Sequence, residues 1–471
     1  MMEWKKLLSP HRVGSSRPGE ISQARSPFQR DFDRIVFSSS FRRLQDKTQV
    51  FPLAKTDYVR TRLTHSLEAS SVARSLGSAV GVHLCREFDM GDAQPSDVGA
   101  AVAAAALAHD IGNPPLGHAG EEAIRHWFTH SPVGKAMRDV MNDDEAADFE
   151  FYEGNAQGFR VLTRLEMPDQ AGGMQLTCAT LAAFAKYPCA SRVMVRPTGV
   201  AGKKFNFFRA EEQLFREMAE HTGLVQTGPW AWQRHPLAYL VEAADDIAYA
   251  TADLEDAYKK GLFTLDEFER FFRDTLEAKK DDWGLNGGQV KKSAEMIDEL
   301  TRLRERESSS MAAFQRWIAY ARHWLMYTAA FGFVPYGAGQ TDSYSAIMEG
   351  TFRREIMEGT FHGGSIRILK AAMGRFAYDS EGILTLELAA QTILTTLLSR
   401  FVPAVLYLDA GDDAPEEYRP TAAEKKLVKL LFENQLACYR ADAEGKDEGY
   451  RLYLRLLLVT DFISGMTDSY A

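Results

Sequence analysis

From Asp31 almost to the last residue, apolar side chains recur at intervals close to three and four, the spacing that draws one apolar stripe along a helix. Between Ser66 and Val82 that stripe is Leu67, Val72, Leu76 and Val80. Residues 97–109 read as an alanine-rich helix stopping at Gly112, because Pro114 and Pro115 have no N–H with which to continue it. A helix restarts over Gly120–His130, with Glu121 and Glu122 in its first turn, where the helix dipole favours carboxylates. The pattern over 236–260 predicts a long helix opened by Pro236 and closed by Gly261. One stretch departs from this period. Arg192–Phe208 carries β-branched and aromatic residues around a Pro/Gly turn, which predicts a β-hairpin or an irregular excursion. Loops are expected at 335–343 and 409–420, and no solenoid period is present. The prediction is an all-α fold: a polar N-terminal arm over 1–30, a helical core over 31–260, a helical C-terminal region over 261–471 packed on it, and a small β-hairpin excursion near 190–210.

At 471 residues the chain can hold two or three average domains or one large helical one. A composition 45% hydrophobic and 25% charged excludes collagen and extended disorder. The net charge of -10 argues against bulk nucleic-acid binding. Any polyanionic substrate must therefore be held by a few focused cations or a metal. Cys85, Cys178, Cys189 and Cys438 form no C-x-x-C pair and are expected as reduced thiols. The first residues lack an apolar signal core, and no uninterrupted apolar run reaches the ~18 residues of a bilayer span. A soluble cytoplasmic protein with no membrane association is expected.

Four metal-binding side chains change the picture. His65 lies in R-T-R-L-T-H-S-L-E, His109-Asp110 in A-L-A-H-D-I-G-N-P-P, and Asp245 in E-A-A-D-D-I-A-Y. Each sits on or at the end of a predicted helix. Asp110 follows an apolar helix, where an unpaired carboxylate is expensive to bury and needs a cation or strong donors. Asp245, Tyr249 and Asp253 are spaced i, i+4, i+8, one face of a helix whose neighbours are alanines. Spacing alone leaves Asp245 and Asp246 both open as ligand; the row with Tyr249 favours Asp245. Two imidazoles and two carboxylates suit a divalent ion such as Mn2+, Mg2+, Co2+, Ni2+ or Fe2+, with coordination positions left for water and a phosphate oxygen. That equipment hydrolyses phosphate esters. In G-H-A-G-E, His118 and Glu121 are three apart at a helix start, so the carboxylate can orient the imidazole; a helix-capping role is the alternative.

The pattern H…HD…D resembles the HD-domain metallophosphohydrolases. The flanking motifs S-F-R-R-L-Q-D-K-T-Q-V-F-P-L, H-D-I-G-N-P-P-L-G-H-A-G-E, E-G-N-A-Q-G-F-R, K-Y-P, K-K-F-N-F-F and D-F-I-S-G-M-T-D-S-Y-A are similar to those of the deoxyguanosine triphosphate triphosphohydrolases. The resemblance runs from about residue 27 to the last, and is weakest over 260–440. It implies an HD-type core and hydrolysis of a deoxynucleoside triphosphate to deoxynucleoside and inorganic triphosphate. His65, His109, Asp110 and Asp245 would hold the metal. His118 and Glu121 would serve proton transfer, either activating water or protonating the departing 5′-oxygen. Arg62, Asn155, Lys186, Tyr187 and Lys204 would meet the triphosphate. Gln49 and Asp253 would contact the 3′-hydroxyl, and Tyr249 would pack under the ribose where a 2′-hydroxyl would collide. The resemblance further implies a homo-oligomer, expected as a hexamer. The leading expectation is dGTP hydrolysis. The alternatives are a broad-specificity dNTP triphosphohydrolase, a nucleotide- or single-stranded-DNA-responsive regulator with single-stranded DNA as effector, and an HD phosphodiesterase for another ester.

Overall fold

Proline, serine and threonine punctuate the helices as backbone chemistry requires. In the computed structural model, which describes residues 1–16, 25–51, 58–334, 342–409 and 419–471, α1 (Pro27–Val36) opens on a proline with a Ser26–Gln29 capping box. Parts of the expected arm and most of the loops at 335–343 and 409–420 lie outside the described residues. The first residues are docked on the body: Trp4 donates to the Tyr344 hydroxyl at 2.7 Å, and the buried His235 ring meets the Leu7 carbonyl at 3.1 Å.

The centre is the crossing of α2 (Arg62–Glu87) and α3 (Pro95–Ala108). The two backbones approach through small residues: a Cβ on Gly77 would lie 2.9 Å from the Gly99 Cα, and one on Gly81 2.7 Å from the Pro95 carbonyl. Alanine and valine cover α3 on every side, and the helix is buried accordingly. α4 (Gly117–His130), α5 (Gly154–Arg160), α6 (Cys178–Phe184) and α7 (Pro236–Ala248) complete this half. After α7 the helix widens into a π turn over Tyr249–Asp253 before resuming as Leu254–Lys259. Later come α8 (Ser310–Phe333), α9 (Gly363–Met373), α10 (Glu381–Leu406) and α11 (Glu448–Ser464).

α7 packs on both helices of the α2–α3 pair, and α8 packs on α2 and α7. A second core joins Ile124, Trp127 and Phe128 of α4 to Leu394 and Leu398 of α10 and Leu457 and Phe462 of α11. Here the buried Arg160 guanidinium meets Asp461 at 2.9 Å and Glu211 at 2.5 Å. A charge so placed needs partners of this kind.

The described residues are all-α apart from one ribbon, β1 (Gln226–Gly228) against β2 (Ala231–Trp232). Of the two forms expected near 190–210, the irregular excursion is the one present, and the two-stranded ribbon is a separate segment. Within 192–208 the backbone is irregular, with a 3-10 turn at Gly199–Gly202; Ala190 and Phe207 are joined by an isolated bridge. The reason is packing. Phe205, Phe207 and Phe208 are buried in the cores, and of the three only Phe207 takes part in a bridge.

α10 is long and apolar enough by composition to cross a bilayer, which the sequence reading did not anticipate. Its Leu394 and Leu398 are buried in the second core, whereas Leu388 is 72% exposed.

Candidate functional site

The site forms where three helices present their ends to one another. His65 lies in the first turn of α2, His109 and Asp110 follow α3, and Asp245 lies near the end of α7. The turn after Asp110 is held from behind: a Cβ on Gly112 would stand 2.0 Å from the Gly158 backbone nitrogen, so the H-D-I-G turn and α5 touch backbone to backbone. The turn ends at Leu116, a non-glycine residue in the left-handed region with φ 60°.

Asp245 Oδ1 lies 3.2 Å from His65 Nε2 and 3.3 Å from His109 Nε2, and Asp110 Oδ2 is 3.4 Å from His109 Nε2. His109 Nδ1 is 2.7 Å from the Ala106 carbonyl, so its proton belongs there and the Nε2 lone pair faces the cluster. The other nitrogen of His65, Nδ1, is buried without a hydrogen-bond partner among the described residues and lies 3.9 Å from Asp253 Oδ1. These separations fit an ion. Two donors about 2.1 Å from one cation at a right angle stand about 3.0 Å apart, and in a tetrahedron about 3.4 Å apart. The donor set, two imidazole nitrogens and two carboxylates, suits Mn2+, Fe2+, Co2+ or Ni2+ and also admits Mg2+. Of the adjacent carboxylates, Asp245 reaches both imidazoles, while Asp246 pairs with Lys370 at 2.8 Å.

Two cations flank the cluster. Arg62 donates to Asp110 Oδ2 at 2.6 Å and Lys186 to Asp245 Oδ2 at 2.7 Å. Burial alone would raise both carboxyls; Arg62 for Asp110 and Lys186 for Asp245, each with His109, outweigh it and hold them well below the usual carboxylate range. Burial would lower His65, yet the bond to Asp245 and the charges of Asp253 and Asp245 lift it to about 8. An ion taken up by this imidazole would have to displace a proton there.

A cleft of about 330 Å³ opens on the cluster, lined also by Gln49, His118, Tyr249, Tyr378 and Glu387. The His118 side chain is 81% exposed, and its Nδ1 is 2.9 Å from Oε2 of Glu121, which is only 2% exposed. Tyr249 and Tyr378 lie nearly parallel, 6.3 Å between centroids and 11° between planes. Asp253 is buried beneath the cleft, where Gln49 Nε2 donates to it at 3.3 Å; burial pushes its carboxyl up to about 7. The remaining expected contacts gather beside the cleft. Lys204 pairs with Glu153 at 2.9 Å, Asn155 donates to Glu153 at 3.0 Å, and Tyr187 packs under the Arg234 guanidinium.

Sequence reasoning missed Tyr378, Glu387 and Lys370, which lie where the motifs are weakest and carry no local signature. A second His/Glu group, His11, Glu217 and His221, is also close-set. Its imidazoles stack face to face, 3.6 Å apart and 12° between planes. Stacked rings keep their lone pairs in two separate parallel planes, and Glu217 already accepts from the Gly14 N–H at 3.0 Å.

The HD domain profile matches residues 62–148, the span that holds α2, α3 and α4. A Listeria monocytogenes serovar 1/2a protein described as a deoxyguanosinetriphosphate triphosphohydrolase-like protein is 40% identical, over 100% of this chain and 98% of its own. A Synechocystis protein of the same description is 38% identical, over 99% of this chain and 97% of its own. A Yersinia pestis deoxyguanosinetriphosphate triphosphohydrolase is 29% identical over 100% and 97%. Similarity at this level along the whole chain, together with the HD domain, makes this chain a member of the deoxyguanosinetriphosphate triphosphohydrolase family of divalent-metal-dependent phosphohydrolases.

Proposed function

We propose that the chain hydrolyses dGTP to deoxyguanosine and inorganic triphosphate. The observation that carries this reading is the convergence of His65, His109, Asp110 and Asp245 at one end of a cleft that His118 borders. A divalent ion held by these four residues, Mn2+ or Mg2+ in the first instance, would supply Lewis acidity at the α-phosphoryl group. The triphosphate brings about four negative charges. Arg62 and Lys186, now engaged by Asp110 and Asp245, provide nearby positive charge, and Lys204, Asn155 and Tyr187 continue a polar strip along which the outer phosphates can lie. The exposed His118 imidazole exchanges a proton with the attacking water or the departing 5′-oxygen, and buried Glu121 fixes its orientation.

The sugar rests on Tyr249, with Gln49 and Asp253 at its 3′ side. A ring packed under the C2′ edge leaves no room for a 2′-hydroxyl. Glu387 at the cleft supports guanine. A carboxylate only accepts hydrogen bonds, and the N1–H and N2–H of guanine donate side by side. A homo-oligomer, expected as a hexamer from the family resemblance, is consistent with exposed Leu384 and Leu388 on α10. A cytoplasmic location is supported by four free cysteines. The net charge of -10 gives no support to single-stranded DNA as the main partner.

The test is product analysis by phosphorus NMR with each of the four dNTPs and each rNTP. Inorganic triphosphate from dGTP is expected. Pyrophosphate, or single phosphates from the γ end, would show that the bond choice is wrong. Equal rates with all four dNTPs would replace the dGTP reading by the broad-specificity one.

A further inference from the structure

Three segments far apart in sequence meet on one carboxylate behind the cleft. Asp468, in the segment after α11, accepts from the Leu116 N–H at 2.9 Å through Oδ1. Its Oδ2 accepts from the Thr48 N–H at 2.7 Å and also from the Thr48 hydroxyl. Leu116 is two residues before His118, and Thr48 is the residue before Gln49. All four residues line the cleft. Alongside, the buried Lys47 ammonium donates to the Asn113 carbonyl at 2.5 Å and the Ser464 carbonyl at 2.6 Å. The Lys47 carbonyl in turn accepts from the Arg62 N–H at 3.0 Å, and the Asp468 N–H is given to Asp46 at 2.8 Å.

Leu116 makes the arrangement telling. A side-chain-bearing residue at φ 60° is disfavoured and persists only when its surroundings hold it. The carboxylate oxygen that receives its N–H belongs to a residue 352 positions away. A charged acceptor gives stronger bonds than a neutral one. One side chain thus sets the distance between the loop that presents Gln49 and the turn that presents His118, without itself lining the cleft.

We propose that Asp468 is a positioning residue for the reaction, clamping the Gln49 loop and the His118 turn in one register so that the proton-transfer imidazole and the substrate-side amide reach the ion-binding cluster together. Asp468 acts through Leu116 and Thr48 and touches no reacting atom. The proposal rests on the hydrolase reading only for its effect on rate.

Asp468→Ala and Asp468→Asn are compared with wild type and with Tyr470→Ala, an exposed neighbour. The measurements are bound Mn2+, kcat and KM for dGTP, and amide hydrogen exchange over peptides spanning 46–50 and 112–119. In Asp468→Ala both peptides should exchange at least about tenfold faster while α2 and α3 keep their protection. Mn2+ stoichiometry should hold, and kcat should fall on the order of 10²-fold with KM changed a few-fold at most. Asp468→Asn retains one acceptor oxygen and should recover part of the rate; if Asp468→Ala fails to fold, Asp468→Asn is judged by the same criteria. Tyr470→Ala should match wild type. Faster exchange in neither or only one peptide, or a kcat per bound Mn2+ within twofold of wild type, overturns the proposal. A wild-type protein that hydrolyses no dNTP would sink the hydrolase reading, and the exchange data would still decide the clamp.

Discussion

One carboxylate oxygen of Glu121 reaches His118 Nδ1 at 2.9 Å while the other accepts the Gly154 N–H at 2.7 Å. The imidazole is therefore oriented by a group that is itself anchored to α5, and its Nε2 is left for the cleft. His118→Ala should lower kcat by about 10²–10⁴-fold with metal content and binding of a non-hydrolysable dGTP analogue little changed. A variant with wild-type kcat would reduce His118 to a helix-capping residue.

Asp110→Ala should lose bound metal and turnover together. The substitution removes one donor from the cluster and strands the buried Arg62 guanidinium that pairs with it at 2.6 Å. Metal content and rate are measured on the same sample. Full occupancy with normal rate would place the ion elsewhere.

Much of this geometry was legible in the chain, and the illegible parts share a cause. The helix end that brings His109 forward follows from Pro114 and Pro115, and the start of the helix that carries Asp245 from Pro236, whose backbone chemistry is local; α2, which carries His65, starts behind Thr61 with no proline. The close contact of Gly112 with Gly154 and Gly158 explains the glycines of E-G-N-A-Q-G only after the fold is known. An α-helical spacing puts Asp253 on the row of Asp245 and Tyr249; the π turn over Tyr249–Asp253 re-aims the row, and Asp253 ends beneath the cleft beside Gln49. Tyr378 and Glu387 enter the cleft by tertiary packing of a region without periodic distinction from its neighbours. The stretch 192–208 is irregular, with its Phe205, Phe207 and Phe208 buried in the cores.

Glu211 offers a stability test away from the cleft. Burial pushes its carboxyl up to about 7, with Arg160 opposing the shift. A folded-state value above the unfolded one means that the native protein holds this proton more tightly. The group's stabilising contribution is then complete below about pH 4.5 and is lost as pH rises towards 7. Glu211→Gln keeps an acceptor for Arg160 and cannot ionise. Its Tm should lie near that of wild type at pH 5 and above it at pH 8. Parallel Tm–pH profiles for the two proteins would rule out this origin.

The guanine contact proposed for Glu387 is tested by substitution with its amide. Glu387→Gln introduces a donor where guanine also donates, so kcat/KM for dGTP should fall about tenfold while dATP and dCTP change less, about the cost of one mismatched hydrogen bond. An unchanged preference among the four dNTPs would move guanine recognition to other residues of the cleft.

On the proposed reading, variants of Tyr249 and Asp253 separate sugar recognition from metal binding. Tyr249 lies parallel to Tyr378 and lines the cleft, whereas Asp253 is buried, 3.9 Å from His65 Nδ1 and 3.3 Å from Gln49. Tyr249→Ala removes the wall under C2′ and should narrow the dGTP-over-GTP ratio in kcat/KM while lowering the dGTP rate, with Mn2+ affinity unchanged. Asp253→Ala takes away the carboxylate behind a metal-binding imidazole, an effect that typically costs about 10–100-fold in metal affinity. It also frees Gln49, so dGTP turnover should drop without GTP being admitted. The two variants are assayed side by side with both nucleotides and with a metal titration. If Tyr249→Ala leaves the ratio intact, the 2′ position is sensed elsewhere. If Asp253→Ala binds Mn2+ as tightly as wild type, Asp253 serves the sugar alone and His65 is oriented without it.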